Sequence, residues 1–309
     1  MDSQAPLKLR TINFSEITKQ MRGTPTWNST KTQVFEALEE LGCFEASFNG
    51  ISPELQKSMF AYVNELFDLP FETKVRNFRE TLFNSYLGQA KEIPIFESLA
   101  IDDPESFANL MWPHGNTEFI NTIRSYSKKL EEMEEIVKMM VLESLNLEKY
   151  MEEHMELTSN LIRITKYRTP NEDESHMGLL SHRDKSMVTI LHENEVQGLE
   201  VQTKDGKWFK VKFSEDSFVV MVGETFRAWT NGRLHATTHK VVMSGNEDRY
   251  SIGYFSFGKL DKIIKTPEEM VDEEHPLLFK PYTYGEFIKF YYTKENKNEK
   301  FALEKFCGV

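Results

Sequence analysis

Cysteine is nearly absent from this sequence: Cys43 and Cys307 are the only two among 309 residues. Two thiols so far apart make no disulfide framework, and a reducing compartment fits that usage. No apolar run reaches the ~20 residues that a membrane helix needs, so a membrane is not an expected partner. Met1–Phe14 lacks a basic flank followed by an apolar block, so no secretory signal is expected. The closing Phe306-Cys307-Gly308-Val309 matches no prenylation, peroxisomal or retention pattern. A cytoplasmic protein is the expectation. Basic residues are also in deficit: 37 Lys and Arg face 49 Asp and Glu, a formal net charge of −12. No run of Lys and Arg offsets that field, so nucleic acid is not an expected partner either. Repeats and low-complexity segments are missing. What remains is ordinary for a globular chain, 39% hydrophobic and 28% charged, and long enough to bury a substantial core.

The periodicity changes character along the chain. Asn28–Leu41 carries Val34, Leu38 and Leu41 at helical spacing and is closed by Gly42. Ser52–Phe67 is a second amphipathic stretch, opened by a capping Ser52-Pro53-Glu54. Glu118–Leu145 is a third, its Glu and Lys forming a solvated face. Leu7–Phe14 and Cys43–Phe48 read as strands. From Ser159 to about Lys259 short strand-like runs follow one another: Leu161–Tyr167, Ser186–His192, Leu199–Thr203, Lys207–Val211, Phe218–Val222, Thr237–Met243 and Arg249–Phe257. Asp205-Gly206 suits the turn between two of them. Tyr284 to about Lys297 returns to helix. The expected architecture is a helical N-terminal part on a double-sheet β core, with a C-terminal helix.

His182-Arg183-Asp184 is placed at the start of a strand-like run, where residues two apart share a face. That would deliver an imidazole and a carboxylate side by side. His239 lies in a later strand-like run. Two histidines and a carboxylate on one face of an octahedral ion leave three positions open, the arrangement of non-haem iron(II) oxygenases. His-x-Asp alone recurs by chance, and with eight histidines a later partner is easy to find. His192 and His235 compete for the third place, and His239 is preferred because a sheet holds it rigidly. His114, His154, His176 and His275 read as surface residues. Arg249 and Ser251 sit two apart on the next strand, a guanidinium and a hydroxyl suited to a carboxylate. Thr165 and Tyr167, on the strand before His182, share a face and add hydrogen-bond capacity.

At these positions the chain resembles a known family. The segment from His182-Arg183-Asp184 through Asn231-Gly232-Arg233-Leu234-His235 and His239-Lys240-Val241 to Arg249-Tyr250-Ser251 is similar to the plant 2-oxoglutarate/iron(II)-dependent dioxygenases. Glu39–Glu45 resembles that family's N-terminal region, so the likeness covers nearly the whole chain. It implies a mixed α and β fold with a distorted double-stranded β-helix (jelly-roll) core. It divides the chain into an N-terminal region at 1–115, a helical connection at 116–158, the core at 159–260 and a C-terminal helix and tail at 261–309. It implies Fe(II) on His182, Asp184 and His239, with 2-oxoglutarate and O2 as cosubstrates and ascorbate as accessory reductant. Arg249 and Ser251 resemble the residues that hold the far carboxylate of 2-oxoglutarate, and Tyr167 and Thr165 further contacts. Phe107–Gly115 and the closing Cys307-Gly308-Val309 resemble a compact subgroup. That subgroup includes alkenyl-glucosinolate-forming dioxygenases, glycoalkaloid hydroxylases and a lignan ring-closing enzyme.

The implied reaction oxidises a C–H bond of a small plant metabolite while 2-oxoglutarate becomes succinate and CO2. Hydroxylation, desaturation, ring closure and demethylation are all open. Asp184 argues against halogenation, because a small residue there would open a halide site. Phe255, Phe96, Tyr86, Trp112 and Trp229 are candidates for the substrate wall. The C-terminal helix, with Phe287, Phe290 and Tyr291, is a candidate cover for the site. Arg183, where relatives carry a small residue, is a candidate for an anionic substrate group. Thr165 replaces a commoner Asn, and Arg168-Thr169-Pro170 replaces a commoner turn. A plant hormone oxidase of the same family, an inactive ligand-binding protein on the same fold and a zinc hydrolase are the alternatives. A monomer is expected.

Overall fold

The computed structural model describes residues 7–79, 85–296, 299 and 301–309. Helices occupy Pro25–Glu40 (α1), Pro53–Asp68 (α2), Phe71–Lys74 (α3), Pro104–Met111 (α4), Thr117–Ser144 (α5), Met151–Glu156 (α6), Glu224–Trp229 (α7), Tyr284–Tyr291 (α8) and Ala302–Cys307 (α9). Strands occupy Thr11–Asn13 (β1), Cys43–Ser47 (β2), Leu87–Ala90 (β3), Ile93–Ile101 (β4), Thr158–Tyr167 (β5), Met177–His182 (β6), Val188–Glu193 (β7), Leu199–Gln202 (β8), Trp208–Lys210 (β9), Ser217–Val222 (β10), His239–Val242 (β11), Arg249–Gly258 (β12), Ile263–Ile264 (β13) and Tyr282–Thr283 (β14).

Two sheets carry the core. The larger runs β1-β2-β10-β7-β12-β5-β4-β3, and the smaller runs β6-β11-β8-β9. Alternation along the central strands assigns each side chain to one face. Val220 pairs with Ile190, Ile190 with Tyr254 and Tyr254 with Ile162, strand to strand on one face. They join Val34, Leu38, Leu130, Val137 and Val141 of α1 and α5 in one continuous core. The other face looks toward the smaller sheet. There Val219, Met221 and Cys43 pack on Leu199 and Val201, and Phe96 and Tyr167 pack on Val241 and Met243. The sheets are thus held apart at two apolar ends, and the polar residues lie between.

Local signals explain the helix starts. Thr24, Ser52, Asp103 and Asn116 each accept a backbone N–H with the side chain, and Pro25, Pro53 and Pro104 follow at the first helical position. Gly42 ends α1 with φ 78°, and a Cβ there would stand 2.0 Å from the carbonyl oxygen of His235.

The structure corrects several expectations. The β core is not confined to residues 159–260, since β1 to β4 belong to the larger sheet. β3, β4, β6, β13 and β14 were unforeseen, as were α3, α4, α6, α7 and α9. β6 ends at His182, so Arg183 and Asp184 lie in the connection after a strand rather than at the start of one. α8 ends at Tyr291, and Lys297 lies outside the described residues. His154 is not on the surface: it is fully buried against Phe226 and Trp229.

Candidate metal and cosubstrate site

His182, the last residue of β6, stands directly opposite His239, the first residue of β11. Their rings are 4.2 Å apart between centroids. His182 Nδ1 lies 2.8 Å from the carbonyl oxygen of Leu180, and His239 Nδ1 lies 3.3 Å from that of Thr237. A carbonyl only accepts, so each Nδ1 carries the proton and donates it. Each Nε2 is left with its lone pair. Asp184 reaches the same point from the connection after β6, with Oδ1 3.4 Å from His182 Nε2 and 3.8 Å from His239 Nε2. The three ligand atoms lie within 4.8 Å of one another. Thr189 of β7 donates to Asp184 Oδ2 at 2.7 Å, and Ser186 lies 2.8 Å from that hydroxyl. Second partners of this kind fix the direction of a ligand.

The charges suit a cation. Burial opposes ionisation of Asp184, but the imidazoles of His239 and His182 and the Thr189 hydroxyl outweigh it and hold its carboxyl well below the usual range. Burial, then the neighbouring His182 ring, pushes His239 down to about 4, so it presents a neutral imidazole. A hard carboxylate oxygen with two imidazole nitrogens is a donor set that fits Fe(II).

A second polar group lies on the inner face of the larger sheet. Arg249 opens β12 in register with Tyr167 of β5, and Ser251 is in register with Thr165. The Arg249 guanidinium sits 5.0 Å above the Tyr167 ring. Its Nε and Nη2 donate to Glu193 Oε2 at 2.8 and 2.5 Å. Both side chains are 2% exposed. Nη1 is buried with no hydrogen-bond partner among the described residues. A buried donor without an acceptor is costly, so this atom is set for an acceptor that the described residues do not supply. A carboxylate is the fitting one.

Glu193 was missed by the sequence reading. Its one signal is parity: it lies four residues beyond Thr189 on β7 and in register with Ser251. Of the expected wall residues, Phe96 is in register with Tyr167, their rings 5.7 Å apart. Phe255 faces inward and stacks on Phe257. Three others are not brought to this face. Tyr86 donates to Glu97, which alternation puts on the opposite side of β4 from Phe96. Trp112 is tied to Glu65 of α2 and packs on Phe119 of α5. Trp229 packs on His154 and Phe226. Arg183 turns to Thr238, Glu304 and the Phe301 ring, toward the C-terminal segment. Of the competing ligands, His192 lies on the helical side bound to Tyr126, and His235 is outside the cluster.

Residues 158–258 match the 2OG-Fe(II) oxygenase superfamily, and residues 9–94 match the N-terminal domain described for non-haem dioxygenase in morphine synthesis. A probable 2-oxoglutarate-dependent dioxygenase of Arabidopsis thaliana, AOP1.2, is 43% identical over 313 residues, 97% of this chain and 96% of its own length. This chain belongs to the 2-oxoglutarate/iron(II)-dependent dioxygenase family. A further Arabidopsis thaliana member, the 2-oxoglutarate-dependent dioxygenase AOP2, is 27% identical with 98% of each chain covered. Among solved structures, the dioxygenase for auxin oxidation in rice superposes with a TM-score of 0.81 at 26% identity, covering 98% of this dioxygenase and all of that chain. The Arabidopsis thaliana auxin-oxidation dioxygenase bound to 2-oxoglutarate gives 0.78 at 28% identity, covering 87% and 99%. The jelly-roll core and the use of iron and 2-oxoglutarate follow from this membership.

Proposed function

We propose that this dioxygenase oxidises a C–H bond of a small specialised metabolite, with 2-oxoglutarate converted to succinate and CO2. The observation that carries this reading is the buried Arg249, with one donor atom unmatched, on the inner sheet face beside the His182–Asp184–His239 cluster. When bound, iron and 2-oxoglutarate supply the oxidising chemistry, and the protein positions and encloses. His182 and His239 would hold the metal through Nε2, and Asp184 through Oδ1. Leu180, Thr237 and Thr189 keep those atoms aimed. Arg249 receives the far carboxylate of 2-oxoglutarate through Nη1, with Ser251, Thr165 and Tyr167 on the same face as further contacts. Phe96 and Phe255 line the neighbouring surface and keep water away from the reacting atoms. The surroundings support a small-molecule substrate.

A first test needs no substrate. Metal-free protein receives Fe(II) and 2-oxoglutarate without oxygen, and the visible spectrum is recorded. A weak charge-transfer band is expected, absent in His239→Ala and weakened in Arg249→Ala. No band in the wild type would favour the inactive binder or the zinc enzyme. A second reading, oxidation of a plant hormone, draws on the likeness to the two auxin-oxidation dioxygenases. Succinate release with a hormone panel separates it from the first.

A further inference from the structure

Resting on that reading, we propose that Glu193 couples cosubstrate binding to a proton: the site takes one up when the far carboxylate of 2-oxoglutarate reaches Arg249, so 2-oxoglutarate is held more weakly as pH rises. The two carboxylates have one guanidinium to share. Glu193 already holds Nε and Nη2 through Oε2, at 2.8 and 2.5 Å. Nη1, buried and without a partner among the described residues, is the atom left for the ligand. One positive charge then stands between two negative ones, with both side chains shut off from solvent. Two carboxylates in one buried site do not both stay ionised, and the proton affinity of one rises strongly. Arginine keeps its own protons, so the added proton enters on the carboxylate side. Both bonds from Arg249 end on Glu193 Oε2, which leaves Oε1 to carry it.

Arg249 cannot avoid the sharing by moving. Gly198 packs so closely on its stem that a Cβ there would stand 2.9 Å from Arg249 Cδ and 3.3 Å from Nε. The Tyr167 ring covers the guanidinium at 5.0 Å. Strand register fixes Arg249 beside Tyr167, and Ser251 beside Glu193. An incoming carboxylate therefore meets a cation that stays on its first partner.

No second cation relieves the site among the described residues. From β12, Glu193 meets Arg249 and the Ser251 hydroxyl. From β5 it meets Tyr167, whose ionisation is opposed by burial. The smaller sheet brings Val241, Met243 and Gly198 to this row, all uncharged. Lys166 belongs to the opposite face of β5 and is paired with Asp248 at 3.1 Å. On β7 itself, His192 turns to the helical face and is bonded to Tyr126. Glu195, just beyond β7, is exposed. Glu45, a further carboxylate of the inner face, lies on β2 across β10 and is held by Thr11, Ser214 and Ser217. Burial raises the Glu193 carboxyl, and Arg249 opposes that shift. A second carboxylate on the same guanidinium weakens the opposition. The occupied site thus holds a proton that the free site has given up. Affinity is full below the pH at which Glu193 ionises in the free site. It falls above that pH by at most about tenfold per unit, until Glu193 ionises in the occupied site too.

The test counts protons, with Mn(II) in place of iron and no turnover. 2-Oxoglutarate is titrated calorimetrically between pH 6 and 8.5, in two buffers of different ionisation enthalpy at each pH. The wild type should take up about one proton per 2-oxoglutarate at the acid end, with affinity falling as pH rises. Glu193→Gln should take up none, and its affinity should stay flat over the same range. 2-Oxopentanoate has the same chelating end and no far carboxylate, and it should bind without a proton. Zero uptake by the wild type at every pH would overturn the proposal. So would an uptake that persists in Glu193→Gln or that accompanies 2-oxopentanoate. The wild-type count decides even if the variant fails to fold. Failure of the wild type to bind 2-oxoglutarate at all would count against the functional reading itself, whereas binding without a proton counts against Glu193 alone.

Discussion

The pair of Arg249 and Glu193 shows how much one carboxylate can change. Glu193 neutralises the cation on which the cosubstrate depends, and neither side chain is open to solvent. Burial raises the Glu193 carboxyl while Arg249 opposes that shift. Breaking a buried pair from one side typically costs about 3–5 kcal/mol, because the other charge is left behind. Arg249→Leu should therefore lose 2-oxoglutarate binding and also unfold at markedly lower urea. Adding Glu193→Leu to it should restore much of the stability and none of the binding. Glu193→Gln keeps an acceptor for the guanidinium and removes the charge. It should tighten 2-oxoglutarate several-fold in a calorimetric titration, and weaker binding would show that the pair is needed to aim Nη1. The inward Arg249 was legible from strand alternation, and the His182, Asp184 and His239 cluster from its residue types, although strand parity is not what brings Asp184 to it. Glu193 was not, since a carboxylate in a strand reads equally well as a solvated face.

At the scale of elements, the connections do as much as the strands. Asp184 reaches the cluster from the connection after β6, not from strand parity, and its backbone carbonyl caps the turn into α7 by accepting from Glu224 N at 2.8 Å. That short helix gave no periodic pattern to read, and α9, at six residues, gave none either. β3 and β4 were hidden by an apolar run that alternates poorly. α9 nevertheless reaches back to the site. Glu304 accepts from Arg227 at 2.6 Å and from Arg183, which lies between two ligands, at 3.5 Å. Glu304→Ala should loosen the connection that carries Asp184 and speed loss of bound iron to a chelator. Gly42→Ala acts from the opposite end. The new Cβ meets the His235 carbonyl at a positive φ, four residues before His239. It should lower the melting temperature and weaken metal binding together, whereas a melting shift with unchanged metal affinity would show that β11 is held independently.

The whole molecule carries a pH signature. Burial lowers His192 and His235 to about 4, as it does His239, and it holds buried His154 well below its ordinary value. Below pH 6.5 the unfolded chain takes up protons that the folded chain refuses, so this part of the stability is full above pH 6.5 and lost as pH falls through about 4. Melting of the metal-free protein should accordingly weaken between pH 6.5 and 4, and a flat profile would mean that these rings are protonated in place. The architecture was legible at this scale because helical and strand-like periods separate along the chain. The strand order was not, because strands far apart in sequence, such as β2 and β10, are neighbours in the sheet.

β12 assigns its tasks at every second residue: Arg249, Ser251, an empty place at Gly253, then Phe255. A strand written this way tolerates substitution and forbids slippage. One inserted or deleted residue would turn all four positions to the helical side at once. New substrate preferences can therefore arise in this scaffold through point changes at single rungs, and through length changes only beyond the sheet. Directed evolution aimed at a different substrate would do well to randomise side chains along β12 and keep its length untouched.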